Sequence, residues 1–193
     1  MFYHPLAMAP YTPQTRADLD LIMPIARCRV NKTKRIAYFV SPHGFGHGAR
    51  AAAVMQALSE IDISVHFDIF TTLPVWFFQD SLSASFTYHF LLTDIGLAQK
   101  TAFEIDIEET LNRLDAFYPF DPVRITEICE TVRSLNCILV VCDIAPMGIL
   151  VAKKAGVASV LVENFTWDWI YERYVKSDNR FQHHIDYLRT LFD

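Results

Sequence analysis

Two short, mostly apolar runs constrain this chain more than any other feature. Residues 137–142 read CILVVC and residues 158–163 read ASVLVE. A strand that is apolar at nearly every position has no face to give to water, so it belongs in a sheet covered on both sides. Parallel sheets meet that need, because the helices that connect their strands pack on the two faces. The rest of the chain keeps the same rhythm. Further strands are expected at 35–41 (RIAYFVS), 64–71 (SVHFDIFT) and 85–92, each a β-branched or aromatic run bounded by polar or turn residues. Helices are expected at 46–58, 73–78, 106–118, 123–135, 147–155 and 167–191. Pro119-Phe120-Asp121-Pro122 breaks the third from the fourth, Gly156 stops the fifth, and residues 93–103 read as a loop. The expectation is an α/β, Rossmann-like three-layer domain with a mainly parallel sheet over residues 34–193. Residues 1–33 read differently. Pro5, Pro10, Pro13 and Pro24 interrupt regular structure, which suggests an irregular leader with one short helix near 16–23.

Composition removes several function classes. The 193 residues are 52% hydrophobic and 20% charged, with a net charge of -5. Nucleic acid as the main ligand needs a clustered basic face, and no such run is present. No apolar stretch has the roughly 18 residues of a membrane span. The first apolar segment is short and follows Asp18 and Asp20, and no basic n-region precedes it, so it is not read as a secretion signal. Cys28, Cys129, Cys137 and Cys142 form no CxxC pair, which argues against a zinc knuckle or redox dithiol. A reducing, cytoplasmic setting is expected.

Ligands of open parallel sheets bind beyond the carboxyl ends of the strands, and the chemistry-bearing residues of this chain follow its strands. After the first strand comes His43-Gly44-Phe45-Gly46-His47-Gly48, then Arg50. Its glycines allow close backbone approach, and the next helix aims free N–H groups at whatever the loop holds. That suits a phosphate or a developing oxyanion, with His47 placed as a general base. A plain strand-to-helix turn is the simpler alternative. The loop is not a Walker A loop, and its GxGxG spacing is not the GxGxxG of dinucleotide binding. Thr71 and Thr72, rather than an acid, end the second strand, so no ribose partner is in place. The glycines between His43 and His47 also argue against a helical metal pair, and no metal site is expected in this chain.

After the fourth strand comes Asp143, placed either to orient a histidine or to cap the helix that opens near Pro146. After the fifth comes Glu163-Asn164-Phe165-Thr166-Trp167-Asp168-Trp169. Aromatic faces beside hydrogen-bonding groups suit a sugar, and a capped helix start with buried tryptophans is the alternative. Gln99 and Asp106, beyond the third strand, are read as ligand contacts or turn residues. His183 and His184 are read as a solvated helix face.

The run 38–50 (YFVSPHGFGHGAR) resembles the opening of a GT-B-fold, glycosyltransferase-like group. It is similar to the glycosyltransferase-like region of plant L-arabinokinase and, more distantly, to MurG-type and UDP-sugar transferases. The resemblance continues through 94–106, 143–155 and 162–171 (VENFTWDWIY), about residues 35–175 in all. It implies the amino-terminal, acceptor-side half of a GT-B fold. His47 would deprotonate an acceptor hydroxyl, and Asp143 would pair with it. His43, Gly44, Phe45, Gly46, Gly48, Arg50, Gln99, Pro146, Asn164, Phe165, Trp167 and Asp168 would line the substrate site. The resemblance also implies a nucleotide sugar as co-substrate, with no resident cofactor. Most donor contacts would come from a carboxyl-terminal domain or partner subunit outside this chain. The sugar-kinase part of L-arabinokinase lies outside the resemblance, so kinase activity is not carried over. A non-catalytic sugar or nucleotide-sugar binding module, or one subunit of a split transferase, is the alternative.

Overall fold

The structure, a computed structural model, describes residues 33–192. Chain order is β1 (Lys34–Val40), α1 (Phe45–Ile61), β2 (Val65–Thr71), α2 (Val75–Ser81) and β3 (Phe86–Phe90), then a hairpin of β4 (Gln99–Thr101) and β5 (Glu104–Ile105). It continues with α3 (Ile107–Phe117), α4 (Pro122–Ser134), β6 (Cys137–Asp143), α5 (Pro146–Ala155), β7 (Ala158–Val162), α6 (Trp167–Glu172) and α7 (Phe181–Phe192). Apart from Thr33, the expected leader with its short helix lies outside the described residues, as does Cys28.

Five strands form one sheet in the order β3-β2-β1-β6-β7, and every pairing in it is parallel. Side chains alternate across a strand, so β1 feeds two cores. Ile36, Tyr38 and Val40 pack with Met55, Phe67 and Phe78 on the side of α1 and α2. Ala37 and Phe39 pack with Val140, Cys142, Leu114, Ile128, Val151 and Leu188 on the side of α3, α4, α5 and α7. This is the expected three-layer α/β arrangement. A fully buried aromatic or aliphatic side chain contributes about 1.5–3 kcal/mol. Gly148 lets α5 approach closely, because a Cβ there would meet Cys142 Sγ at 2.6 Å and Phe39 Cγ at 2.9 Å. Gly156 takes the left-handed conformation that ends α5, with φ 73°. Asp106 caps α3 by accepting from the Glu109 N–H at 3.0 Å, and Asp121 caps α4 by accepting from the Val123 N–H at 2.9 Å. Asp68, fully buried in β2, accepts from Arg35 Nη2 at 2.6 Å and from His89 Nε2 at 3.0 Å.

Several expectations need correction. β7 is apolar but not covered on both sides, since residues 158–160 are exposed. It is the edge strand and pairs only with β6, so apolar composition alone did not bury it. The loop expected at 93–103 contains β4, which pairs with β5 just beyond it in a hairpin whose polar residues carry no alternating pattern. The helix expected over 167–191 is two helices. Between them the Asp178 carboxylate accepts from the Arg180 N–H at 2.9 Å, a local bond that competes with helical pairing. His184 is buried rather than solvated, while His183 is exposed. Phe181, His184, Ile185 and Leu188 form the apolar stripe of α7, and that 3.6-residue period is visible in the sequence. Trp169 is half exposed, with the Arg173 guanidinium 4.5 Å from its ring centre. Among the described residues, no helix is long and apolar enough to cross a membrane.

Candidate active site

The sheet order reverses between β1 and β6. From β1 the chain moves outward to β2 and β3, and from β6 it moves the other way to β7. The connections leaving the carboxyl ends of these two strands therefore diverge and open a crevice. Residues 41–44 leave β1 on one side of it, and Ile144 and Ala145 leave β6 on the other. The two rims are joined by a hydrogen bond of 3.1 Å from the Ser41 N–H to the Asp143 carbonyl.

His47 stands on the first turn of α1, just past Gly44, whose φ of 108° aims the chain into the helix. Its Nδ1 lies 3.0 Å from Asp143 Oδ1. The Asp143 side chain is fully buried. Arg50, one turn further along α1, grips the same carboxylate with Nε at 2.8 Å and Nη2 at 2.7 Å. Burial alone would raise the Asp143 pKa, but the hydrogen bonds from Arg50 and His47 outweigh it and hold the carboxyl below its ordinary range. An ionised carboxylate only accepts, so Nδ1 of His47 carries a proton, and in the neutral ring it is Nε2 that holds the free lone pair. Arg50 Nη1 also donates to Asn164 Oδ1 at 3.0 Å, which ties α1 to the loop after β7. Ile144, next to Asp143, has φ 55°. A β-branched residue rarely adopts that conformation, and such strain costs on the order of 1–3 kcal/mol.

His43, Gly46, His47, Arg50, Asn164 and Phe165 line a cavity of about 310 Å³, with the Asp143 carboxylate held behind them by His47 and Arg50. His43 also borders a second cavity of about 230 Å³, together with Thr72, Asp94, Gly96, Leu97 and Arg113. Burial, and then the neighbouring His47, lower the His43 pKa. Trp167 is buried behind both cavities. Its ring meets His43 edge-on at 5.1 Å and Phe165 at 5.6 Å, and stacks on Tyr171 at 5.8 Å.

The other residues expected to bind substrate do not line these two cavities. Phe45 packs on Trp76 and Phe77 at 5.9 and 5.3 Å. Gly48 faces Leu73 and Phe77, where it admits α2. Pro146 is buried at the start of α5, the position that proline suits. Asp168 pairs with Arg189 Nε at 3.3 Å. Gln99 is exposed on β4 and lines neither cavity.

Sequence reasoning did not single out two residues at this site. Asp94 is buried, accepts from Ser41 Oγ at 3.1 Å, and leaves Oδ2 without a partner. The Trp167 indole N–H lies near this carboxyl, outside hydrogen-bonding geometry. Burial raises the Asp94 pKa to about 7 against the opposing pull of Ser41 and Trp167. Gly96 supports the ring of His43. An acid directly after the third strand obeys the same strand-end rule that drew attention to Asp143, so Asp94 carried a usable signal.

Over 142 residues the chain is 34% identical to L-arabinokinase of Arabidopsis thaliana, a stretch that is 72% of this chain and 13% of that protein. Among solved structures it is similar to a UGT transferase from Siraitia grosvenorii in complex with UDP, with a TM-score of 0.45, 13% identity, and coverage of 75% of this chain and 32% of that one. It is also similar to Phytolacca americana UGT2 complexed with UDP-2-fluoro-glucose and pterostilbene, with a TM-score of 0.44, 16% identity, and coverage of 76% and 34%. The chain thus spans about a third or less of the relatives it matches. No protein-family model matches it.

Proposed function

We propose that this chain is the acceptor-side, amino-terminal domain of a GT-B glycosyltransferase. In this reading a sugar or other hydroxyl acceptor occupies the crevice, and a carboxyl-terminal domain or partner subunit brings the nucleotide sugar. His47 Nε2 takes the acceptor proton, the acceptor oxygen forms a bond to the anomeric carbon, and the nucleoside diphosphate leaves. Asp143 fixes the tautomer and stabilises the imidazolium that forms. The observation that carries the reading is the 3.0 Å contact between His47 Nδ1 and Asp143 at the crevice where the sheet order reverses. Similarity to a stretch of a protein named for arabinose is in keeping with a sugar-handling site. The test is glycosyl transfer or donor hydrolysis by the polypeptide that joins this chain to its donor domain. His47→Ala is expected to lower the rate by about 10²–10⁴-fold, and an unchanged rate would overturn the assignment.

One observation favours a second reading, a binding module without turnover. Arg50 already neutralises Asp143 through two hydrogen bonds, leaving the carboxylate less able to stabilise a charged His47. Calorimetry with sugars and nucleotide sugars decides between the two. Binding with no transfer or hydrolysis, and with no loss on His47→Ala, supports the module.

A further inference from the structure

A second histidine cluster lies where α3 meets α7. Asp115 is on α3, and His183 and His184 are consecutive on α7. Both Nε2 atoms converge on one oxygen, Asp115 Oδ1, at 3.4 Å from His183 and 2.9 Å from His184. Consecutive residues on a helix point about 100° apart, so two adjacent imidazoles meet one acceptor only when it lies between them. Here the ring centres are 3.7 Å apart. Among the described residues this is the one group of three His, Cys, Asp or Glu whose ligand atoms lie within 4.8 Å of one another.

We propose that Asp115, His183 and His184 form a site for a divalent transition-metal ion of the zinc, cobalt or nickel kind. Two imidazoles and one carboxylate are a donor set that such ions favour. The spacing fits. Metal–ligand bonds of about 2.0–2.1 Å set neighbouring ligand atoms about 2.9 Å apart in octahedral geometry and about 3.4 Å apart in tetrahedral geometry. The two measured separations span that range. His184 is buried while Asp115 and His183 are open to solvent, so water can complete the shell on one side. His184 Nδ1 has no partner. An aliphatic residue in this stripe would avoid that unpaired buried atom, so packing alone does not account for an imidazole here. A bound ion would clip α7 to α3 across more than 60 residues of chain. Nothing in this proposal rests on the glycosyl-transfer reading.

The test uses the metal-free chain titrated with Co²⁺ by visible absorption and with Zn²⁺ by calorimetry, with Mg²⁺ as counter-probe. The expected result is one equivalent of Co²⁺, displaced by Zn²⁺ and not by Mg²⁺. Affinity is expected to fall at least about tenfold in His183→Ala and in Asp115→Asn. Both side chains are substantially exposed, so both variants should fold, and circular dichroism verifies this. Absence of saturable binding, or affinity unchanged in both variants, overturns the proposal. A loss caused by His43→Ala in place of these two would also overturn it, by putting the ion at the other histidine pair.

Discussion

The ring of His43 lies on the backbone of Gly96, so closely that a Cβ at position 96 would stand 2.0 Å from His43 Nδ1. The atoms in the way belong to the ring of His43, a loop residue open to solvent on one side, which can turn aside. Gly96→Ala is therefore expected to change stability by less than about 1 kcal/mol while moving the His43 ring out of both cavities. Thermal denaturation and the imidazole NMR shifts of the variant check the two halves of this statement.

Gly148 gives the opposite outcome. The atoms that a Cβ would strike belong to Phe39 and Cys142, both fully buried under α5. Neither can move without disturbing the sheet. Gly148→Ala is expected to cost about 1–3 kcal/mol, the usual effect of overpacking, read as a lower urea midpoint.

Arg50→Ala removes two of the hydrogen bonds that hold buried Asp143. Breaking a buried pair typically costs about 3–5 kcal/mol, and the partial exposure of Arg50 points to the lower end. The folded-state pKa of Asp143 lies below its unfolded value, so its stabilising contribution is present above about pH 4 and is lost as pH falls through the folded value. The difference between wild type and variant should be full near neutral pH and shrink below about pH 4. Denaturant titrations across that window measure it.

Asp94 has the reverse sign. Its folded-state pKa is raised to about 7, so between about pH 4 and pH 7 the folded state holds a proton that the unfolded state has released. This group therefore lowers stability as pH rises through that window, by at most about 1.4 kcal/mol per pH unit. Asp94→Asn cannot titrate. The difference in unfolding free energy between wild type and variant should slope from pH 4 to 7 and level off above. A flat difference would show that Asp94 titrates elsewhere.

The sequence made the strand ends legible, because alternating apolar strands and helices locate each carboxyl end and the crevice rule does the rest. His47 and Asp143 were found in that way. Their shared partner was harder to see. Arg50 and Asp143 are 93 positions apart, and only the sheet order brings α1 beside the end of β6. Gln99 falls on β4 and lines neither cavity, and position after a strand does not by itself tell which way a following segment faces. β7 misled because apolar composition does not separate an edge strand from an internal one. His184 was read from its polarity, although its neighbours in the α7 stripe carried the better signal.

His47 and Asp143 are 96 residues apart and occupy opposite sides of the sheet's turning point. As the polypeptide leaves the ribosome, α1 and its histidine emerge well before β6 has been synthesised. The imidazole has no aspartate to orient it until β6 slots in beside β1, a long-range closure that comes slowly in parallel sheets. Half-made chains therefore carry the histidine loop without its partner, and any chemistry at this crevice waits for the sheet to be finished.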